Sequence, residues 1–517
     1  MTKFISHPRI VPDRIEERVY QVSMAKSCLE DNTLLVLPTG LGKTVIALLV
    51  SVNILERGKK ILILAPTKPL VEQHSVTFSS LLRDTSVGVM NGNMIPAKRA
   101  KMFDSYDIIV STPQAIANDL EKGRYDLNNI GLIIYDEAHR GIGNYSYVTI
   151  SDNYRSGLSL GMTASPGSNS KKIEEICDNL SLKRIEVREE TDPDVSPYIH
   201  EIFTNNVIVN MPEDLVRIIT LLRDLADKYV NELVQMRLMD PNWPASTKHL
   251  LVIGNTLHKR LANGEKSAFV FRGLSIQSIC VKVFHAIGLA ETQGVSSLRS
   301  YLQKLEAEAG KEKGGKGAKE ITASKEYKEI GRILSYTKVE HPKISRVMSI
   351  VSKELNSGKD TRVIVFSQYR DTCDLLVEKL SKIEGVRVGK LIGQSKGGLK
   401  QKEQIELLDR FKDGTFNVIV STSVGEEGLD ISSTDVVIFY EPVPSEIRTI
   451  QRRGRTGRKN DGEVYVLIAK GTRDEVFENS NNRKEEQMRS RLDRLNSEME
   501  KRPNSSAELN QRNLGDF

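Results

Sequence analysis

Cysteine is scarce in this chain, long apolar runs are absent, and neither sign of charge dominates. Only four cysteines occur in 517 residues, Cys28, Cys177, Cys280 and Cys373, far apart and with no C-x-x-C. That argues against a disulfide framework, a zinc ribbon or an iron–sulfur cluster, and it fits an intracellular, reducing compartment. No apolar run approaches the ~20 residues of a membrane span. The opening MTKFISHPRI carries no apolar leader core, so no membrane partner is expected. A net charge of +6 permits a nucleic-acid partner without demanding one. The length suggests about three domains.

What is present is LVLPTGLGKT over residues 35–44. An apolar run breaks at Pro38 and Thr39, passes Gly40 and Gly42, and ends on Lys43 and Thr44 before a helical stretch, VIALLVSVNIL. Small residues let backbone N–H groups converge on phosphate oxygens, and a helix N-terminus adds partial positive charge. Lys43 would reach the β/γ-phosphates of ATP and the Thr44 hydroxyl would ligate Mg²⁺. The general pattern asks for glycine where Leu37 stands, so an ordinary surface loop is the rival reading.

From 34 to about 170 the chain alternates apolar β-rich runs with amphipathic helical stretches. Strands are expected at 34–37, 61–65, 87–90, 108–111, 132–136 and 158–163. Such alternation predicts a parallel sheet covered by helices, with ligands at the carboxyl ends of its strands. Four of these strands run into PTGLGKT, APTKP, STPQ and DEAH. In the last, Asp136 could hold Mg²⁺ opposite Thr44, and Glu137 is placed to polarise an attacking water. A solvated acidic loop is the plainer alternative. Thr163-Ala164-Ser165 follows at another strand end, where its hydroxyls could link the nucleotide site to whatever moves. Upstream, Gln21 could present its amide to adenine or could simply sit on a helix surface.

Residues 196–340 change to helical periodicity and break at 310–320, GKEKGGKGAKE, which reads as a flexible lysine-rich segment. From 341 the alternation resumes, with strands expected at 362–366, 417–421, 436–440 and 463–468. This second sheet has no phosphate loop. It carries STSVGEEGLDI and QRRGRTGR, four arginines in eight residues, with Arg452, Arg455 and Arg458 on one face if helical. They read either as a general nucleic-acid patch or as arginine fingers for a γ-phosphoryl group. After about 475 the chain is charged and helical, then polar. Its last residues space Gln511, Leu514 and Phe517 evenly, a compact anchor for a partner pocket.

In this order PTGLGKT, APTKPL, STPQ, DEAH, TAS, VFSQYRDT, TSVGEEGLDI and QRRGRTGR resemble motifs I, Ia, Ib, II, III, IV, V and VI of the superfamily 2 helicases. RVYQ, residues 18–21, resembles the adenine-reading Q motif. The long helical insert, with HAIGLAETQG, HPK and KGTRDE, resembles the archaeal Hef and Fanconi-anaemia group M branch. RIG-I and Dicer helicases share that plan. The resemblance implies an α/β fold of two RecA-like parallel-sheet lobes with an inserted all-helical domain. It divides the chain into lobe one (1–195), insert (196–340), lobe two (341–475) and tail (476–517).

It further implies an ATP-dependent DNA helicase or translocase acting on forked or branched DNA in replication-fork repair, cytoplasmic and at the nucleoid. Gln451, Arg455 and Arg458 would reach the γ-phosphate from lobe two, and Gly428 and Asp430 would frame the nucleotide. Thr67, Lys68, Thr112, Gln114, Gln368 and Thr422 would meet the sugar–phosphate backbone. Lys311, Lys313, Lys316 and Lys319 would clamp duplex, or form only a solvated loop. The terminal peptide resembles a PCNA sliding-clamp motif lacking its second aromatic. No nuclease-like ERK-x-x-x-D follows, so either a helicase-only member or a shortened chain is expected; the clamp-like ending favours the former. An RNA-directed translocase and an ATP-gated, clamp-tethered DNA platform are the rival functions.

Overall fold

The computed structural model describes residues 3–198, 202–311, 315–337, 340–357, 360–393, 399–422, 434–442 and 462–500. Seven strands build the first sheet: β1 (Thr33–Val36), β2 (Lys60–Leu64), β3 (Val87–Met90), β4 (Ile108–Ser111), β5 (Ile130–Asp136), β6 (Leu158–Thr163) and β7 (Arg184–Val187). Their order is β3-β4-β2-β5-β6-β1-β7, and every pairing is parallel. The central strands are buried along their whole length, as strands covered on both faces must be. One sheet face packs on the helices Val19–Glu30 and Lys43–Glu56. The other packs on Phe103, Ile116, Tyr147 and Ile173. All six strands expected here are present; β7 is an additional short edge.

The second sheet holds β8 (Ile202–Val209), β9 (Val363–Phe366), β10 (Val388–Leu391), β11 (Val418–Ser421), β12 (Val436–Phe439) and β13 (Gly462–Ala469). Its order is β10-β11-β9-β12-β13-β8, again parallel throughout. Here the boundary expected at 196 is corrected. β8 lies before the helical insert in sequence yet pairs along its full length with β13, from Ile202 opposite Gly462 to Val209 opposite Ala469. As an edge strand it leaves Phe203 and Ile208 exposed, so its sequence lacks the buried-strand pattern.

Between the lobes stands a helical bundle built on Glu213–Gln235, Thr247–Ala262, Ala268–Thr292, Val295–Ala309 and Lys325–Tyr336. Its axis, Ala268–Thr292, is long and apolar enough to cross a membrane by length and composition alone. It is instead the core of the bundle, burying Ile276, Ile279, Val283 and Ile287 against Leu222, Leu225 and Tyr229. The lysine-rich segment expected to be flexible is corrected in part. Lys316–Ala323 is helical, because Gly317, Ala318 and Ile321 bury one face while Lys316 and Lys319 stay outside. The helix Arg473–Glu500 leaves lobe two and returns to lobe one, where Met488 and Leu492 are buried beside Ile173 and Cys177. The four cysteines are buried and form no disulfide, and burial pushes the Cys28 and Cys280 thiols up to about 12.

Candidate nucleotide site and nucleic-acid interface

The first sheet brings its motif residues to one edge. β1 lies beside β6, and β6 beside β5, so the loop after Val36, the Thr163 strand end and Asp136 are neighbours. Gly40 and Gly42 both take positive φ, +88° and +83°, a conformation that favours glycine. Gly42 then caps the helix Lys43–Glu56. Lys43 Nζ donates to the carbonyls of Leu37 at 2.8 Å and Pro38 at 3.4 Å, so its ammonium is held over the loop. Thr44, half-buried, stands one residue further on at the helix start.

Gln21 is not a surface residue. It is 3% exposed, and its Nε2 donates to Leu41 O at 3.0 Å beside the Tyr20 hydroxyl, which donates to the same carbonyl at 2.7 Å. A Cβ on Gly42 would stand 2.3 Å from Gln21 Nε2. The helix carrying RVYQ therefore fixes the middle of the phosphate loop directly.

At the end of β5 the Asp136 carboxylate is 8% exposed. Its Oδ2 lies 2.8 Å from His74 Nε2, and its Oδ1 accepts the Glu137 N–H at 3.0 Å. Burial pushes this carboxyl up, but the His74 ring, Lys43 and the Glu137 N–H outweigh it and hold it below the usual carboxylate range. The Tyr147 hydroxyl donates to Asp136 O at 2.6 Å and Leu64 O at 3.1 Å, fastening the ends of β5 and β2 together. Glu137 sits at φ +51°, an uncommon backbone for a non-glycine residue that clusters at functional sites. Its buried Oε2 lies 3.2 Å from His139 Nδ1 without hydrogen-bonding geometry. His139 Nδ1 also meets Thr163 Oγ1 at 3.2 Å. Two residues on, Ser165 Oγ donates to Met488 Sδ at 3.0 Å, so the Thr163–Ser165 stretch touches the helix that arrives from lobe two.

Sequence reasoning missed His74, Tyr147 and Met488. Each acts from a helix onto a strand end remote in sequence, and nothing local in the chain marks such a pairing. Of the backbone-contact candidates, Thr67 and Lys68 follow β2, and Thr112 and Gln114 follow β4, its paired neighbour. Thr67 caps the helix Lys68–Leu81, accepting from Leu70 N at 3.5 Å. Lys68 and Gln114 are exposed, Thr67 and Thr112 half-buried. In lobe two Gln368 and Thr422 follow the paired strands β9 and β11. Gln368 is exposed, while Thr422 is 8% exposed and offers little surface to a ligand. Lys311, Lys316 and Lys319 are exposed on the insert. Lys313, Gly428, Asp430, Gln451, Arg455, Arg458, Gln511, Leu514 and Phe517 lie outside the described residues.

Three family profiles match this architecture in turn. They are "Type III restriction enzyme, res subunit" over 14–168, "Putative ATP-dependent RNA helicase, helical bundle" over 215–341, and "Helicase conserved C-terminal domain" over 343–460. Two parallel-sheet lobes, a phosphate loop on the first and a bundle between them define a two-lobed helicase region. The chain is 42% identical to the crystallised Hef helicase domain of Pyrococcus furiosus, covering 90% of this chain and 98% of that one at a TM-score of 0.69. It is 39% identical to "Putative ATP-dependent RNA helicase MJ1505" of Methanocaldococcus jannaschii, over 94% of this chain and 62% of that protein. To "ATP-dependent DNA helicase mph1" of Sclerotinia sclerotiorum it is 31% identical, over 90% of this chain and 40% of that protein. The chain thus spans less than two thirds of either curated relative's length. It belongs to the superfamily 2 ATP-dependent helicases of the Hef and Fanconi-anaemia group M type.

Proposed function

We propose that this chain couples ATP hydrolysis to movement along, and opening of, forked or branched DNA, in the service of replication-fork repair. The observation that carries this is the 42% identity spanning 98% of a Hef helicase domain, insert included. Lys43 and Thr44 meet the phosphates, Gln21 braces the loop that carries them through Leu41 O rather than facing the adenine, and Glu137 polarises the attacking water. Gln451, Arg455 and Arg458 complete the site from lobe two, with Gly428 and Asp430 beside them.

The donor set fits Mg²⁺, a hard cation that takes oxygen ligands and usually keeps phosphate and water in its shell. Asp136 supplies an ionised, buried carboxylate and Thr44 a hydroxyl at the helix start. When bound, the cation would supply positive charge to offset the negative charge that develops on the phosphate. Hydrolysis needs both lobes, so each turnover opens and closes the cleft and becomes a step along the strand. Thr67, Lys68, Thr112, Gln114 and Gln368 grip phosphates, which position a strand without reading sequence. Binding therefore selects structure and weakens steeply with salt. The peptide around Gln511, Leu514 and Phe517 tethers the enzyme to a sliding clamp.

A second reading, an RNA-directed translocase, is favoured by the printed names of the M. jannaschii relative and of the helical-bundle profile. One panel separates the readings: ATPase rate and strand displacement on fork, Holliday junction, flap, linear duplex DNA and duplex RNA. Fork or junction DNA should stimulate most and be unwound. Greatest stimulation by duplex RNA would overturn the DNA assignment. Hydrolysis without displacement of any strand would leave a DNA-binding platform.

A further inference from the structure

His74 has no part in the phosphate-loop chemistry, yet it stands against Asp136, the carboxylate read as the cation ligand. It projects from the helix Lys68–Leu81, which leaves the end of β2 with Thr67 as its cap. β2 is the immediate neighbour of β5, with Leu64 opposite Tyr135. That register brings the helix face over the carboxyl end of β5, where His74 Nε2 lies 2.8 Å from Asp136 Oδ2. Both side chains are almost fully buried, at 6% and 11% exposure.

The surroundings make the contact directional. Asp136 Oδ1 is engaged by the Glu137 N–H at 3.0 Å, and the Asp136 carbonyl by the Tyr147 hydroxyl at 2.6 Å. The backbone and one carboxylate oxygen are thus fixed by the strand end itself. The other oxygen is held by a group from a different element. Without that group only the Glu137 N–H restrains the carboxylate against turning about its last side-chain bond. A metal-binding carboxylate that turns loses the orientation on which its affinity depends.

We propose that His74 is a positioning residue for Asp136: its ring N–H holds the carboxylate in the orientation in which it receives a divalent cation. This rests on the reading of Asp136 as a cation ligand. A histidine that merely filled space would contribute packing and no hydrogen bond, and this difference can be measured.

The test uses the full chain, a fluorescent non-hydrolysable ATP analogue, and titration with MgCl₂. His74→Ala removes the donor, and His74→Leu removes it while keeping the volume filled. Both should raise the MgCl₂ concentration for half-saturation about 10-fold, and His74→Gln, which restores an N–H at similar reach, should return it to within about 2-fold. Analogue binding without Mg²⁺ should be unchanged in all three. Parental Mg²⁺ dependence in His74→Leu, or a Gln variant as impaired as Leu, would overturn the proposal. Asp136→Asn separates the two layers. If it shifts the Mg²⁺ dependence and His74→Leu does not, the histidine has no positioning role. If Asp136→Asn itself shifts nothing, the cation-ligand reading falls and takes the proposal with it.

Discussion

Glu137 and His341 show how a single side chain can be held in an improbable state to a purpose. Glu137 takes a left-handed backbone at φ +51° with its Oε2 buried beside His139. Such strain persists only where the surroundings impose it, and here it sets the Glu137 carboxylate beside His139 at 3.2 Å. Glu137→Gln keeps shape and hydrogen-bonding capacity but cannot take a proton. Single-turnover hydrolysis should fall by about 10²–10⁴ while binding of the fluorescent ATP analogue is unchanged. His341 is the opposite case, a histidine kept neutral. Its Nδ1 accepts the Lys343 N–H at 3.2 Å and its Nε2 donates to Glu291 O at 3.0 Å, so no further proton can be accommodated. Burial, with Lys343 nearby, drops it from 6.5 to about 3. Between those values the unfolded chain binds a proton that the folded chain does not, so stability falls as pH drops through that window. His341→Gln, which does not titrate, should flatten the acid limb of urea midpoints measured from pH 7 to 4. The residue types of the phosphate loop and of Asp136-Glu137 were legible in sequence because a strand end followed by glycine or acid is a local signal. The partners that aim them were not, since His74 lies 62 residues from Asp136.

Whole elements divide along the same line. Strands buried on both faces, such as β5 and β11, declare themselves as continuous apolar runs. β7, β8 and β10 do not: each is partly exposed and mixes polar with apolar residues. The expected lobe–insert–lobe plan was therefore visible, but the strand at its first junction was not. The helix Arg473–Glu500 teaches a similar lesson. Its charged text reads as a solvated tail, yet Asp474, Glu478 and Asn481 are buried along it. Two residues decide where it goes, Met488 at 6% and Leu492 at 2% exposure, both buried in the lobe-one core. Leu492→Ala should destabilise the protein by about 2–4 kcal/mol, the range for truncating a buried leucine. Val476→Ala on the exposed side of the same helix should stay within about 0.5 kcal/mol. Thermal unfolding of the two variants side by side checks both numbers.

At the scale of the whole molecule, the insert meets lobe two through the buried Glu291 and Gln293. Arg473 Nε lies 3.0 Å from Glu291, Arg223 lies 2.7 Å from the same carboxylate, and Gln293 Nε2 donates to Glu441 at 3.3 Å. Lys343 and Asp474, both fully buried, pair beneath the Tyr440 ring. Breaking one side of such a pair strands a charge away from water. β8 adds a consequence for how the chain is made. It leaves the ribosome before the insert, yet its partner β13 is synthesised 260 residues later. At about 5–20 residues per second, that strand waits roughly 10–50 s for the hydrogen bonds it will keep. During synthesis Phe203, Val207 and Val209 have no sheet to join. The edge strand of the second sheet is thus a segment of the nascent chain that needs protection until its partner emerges.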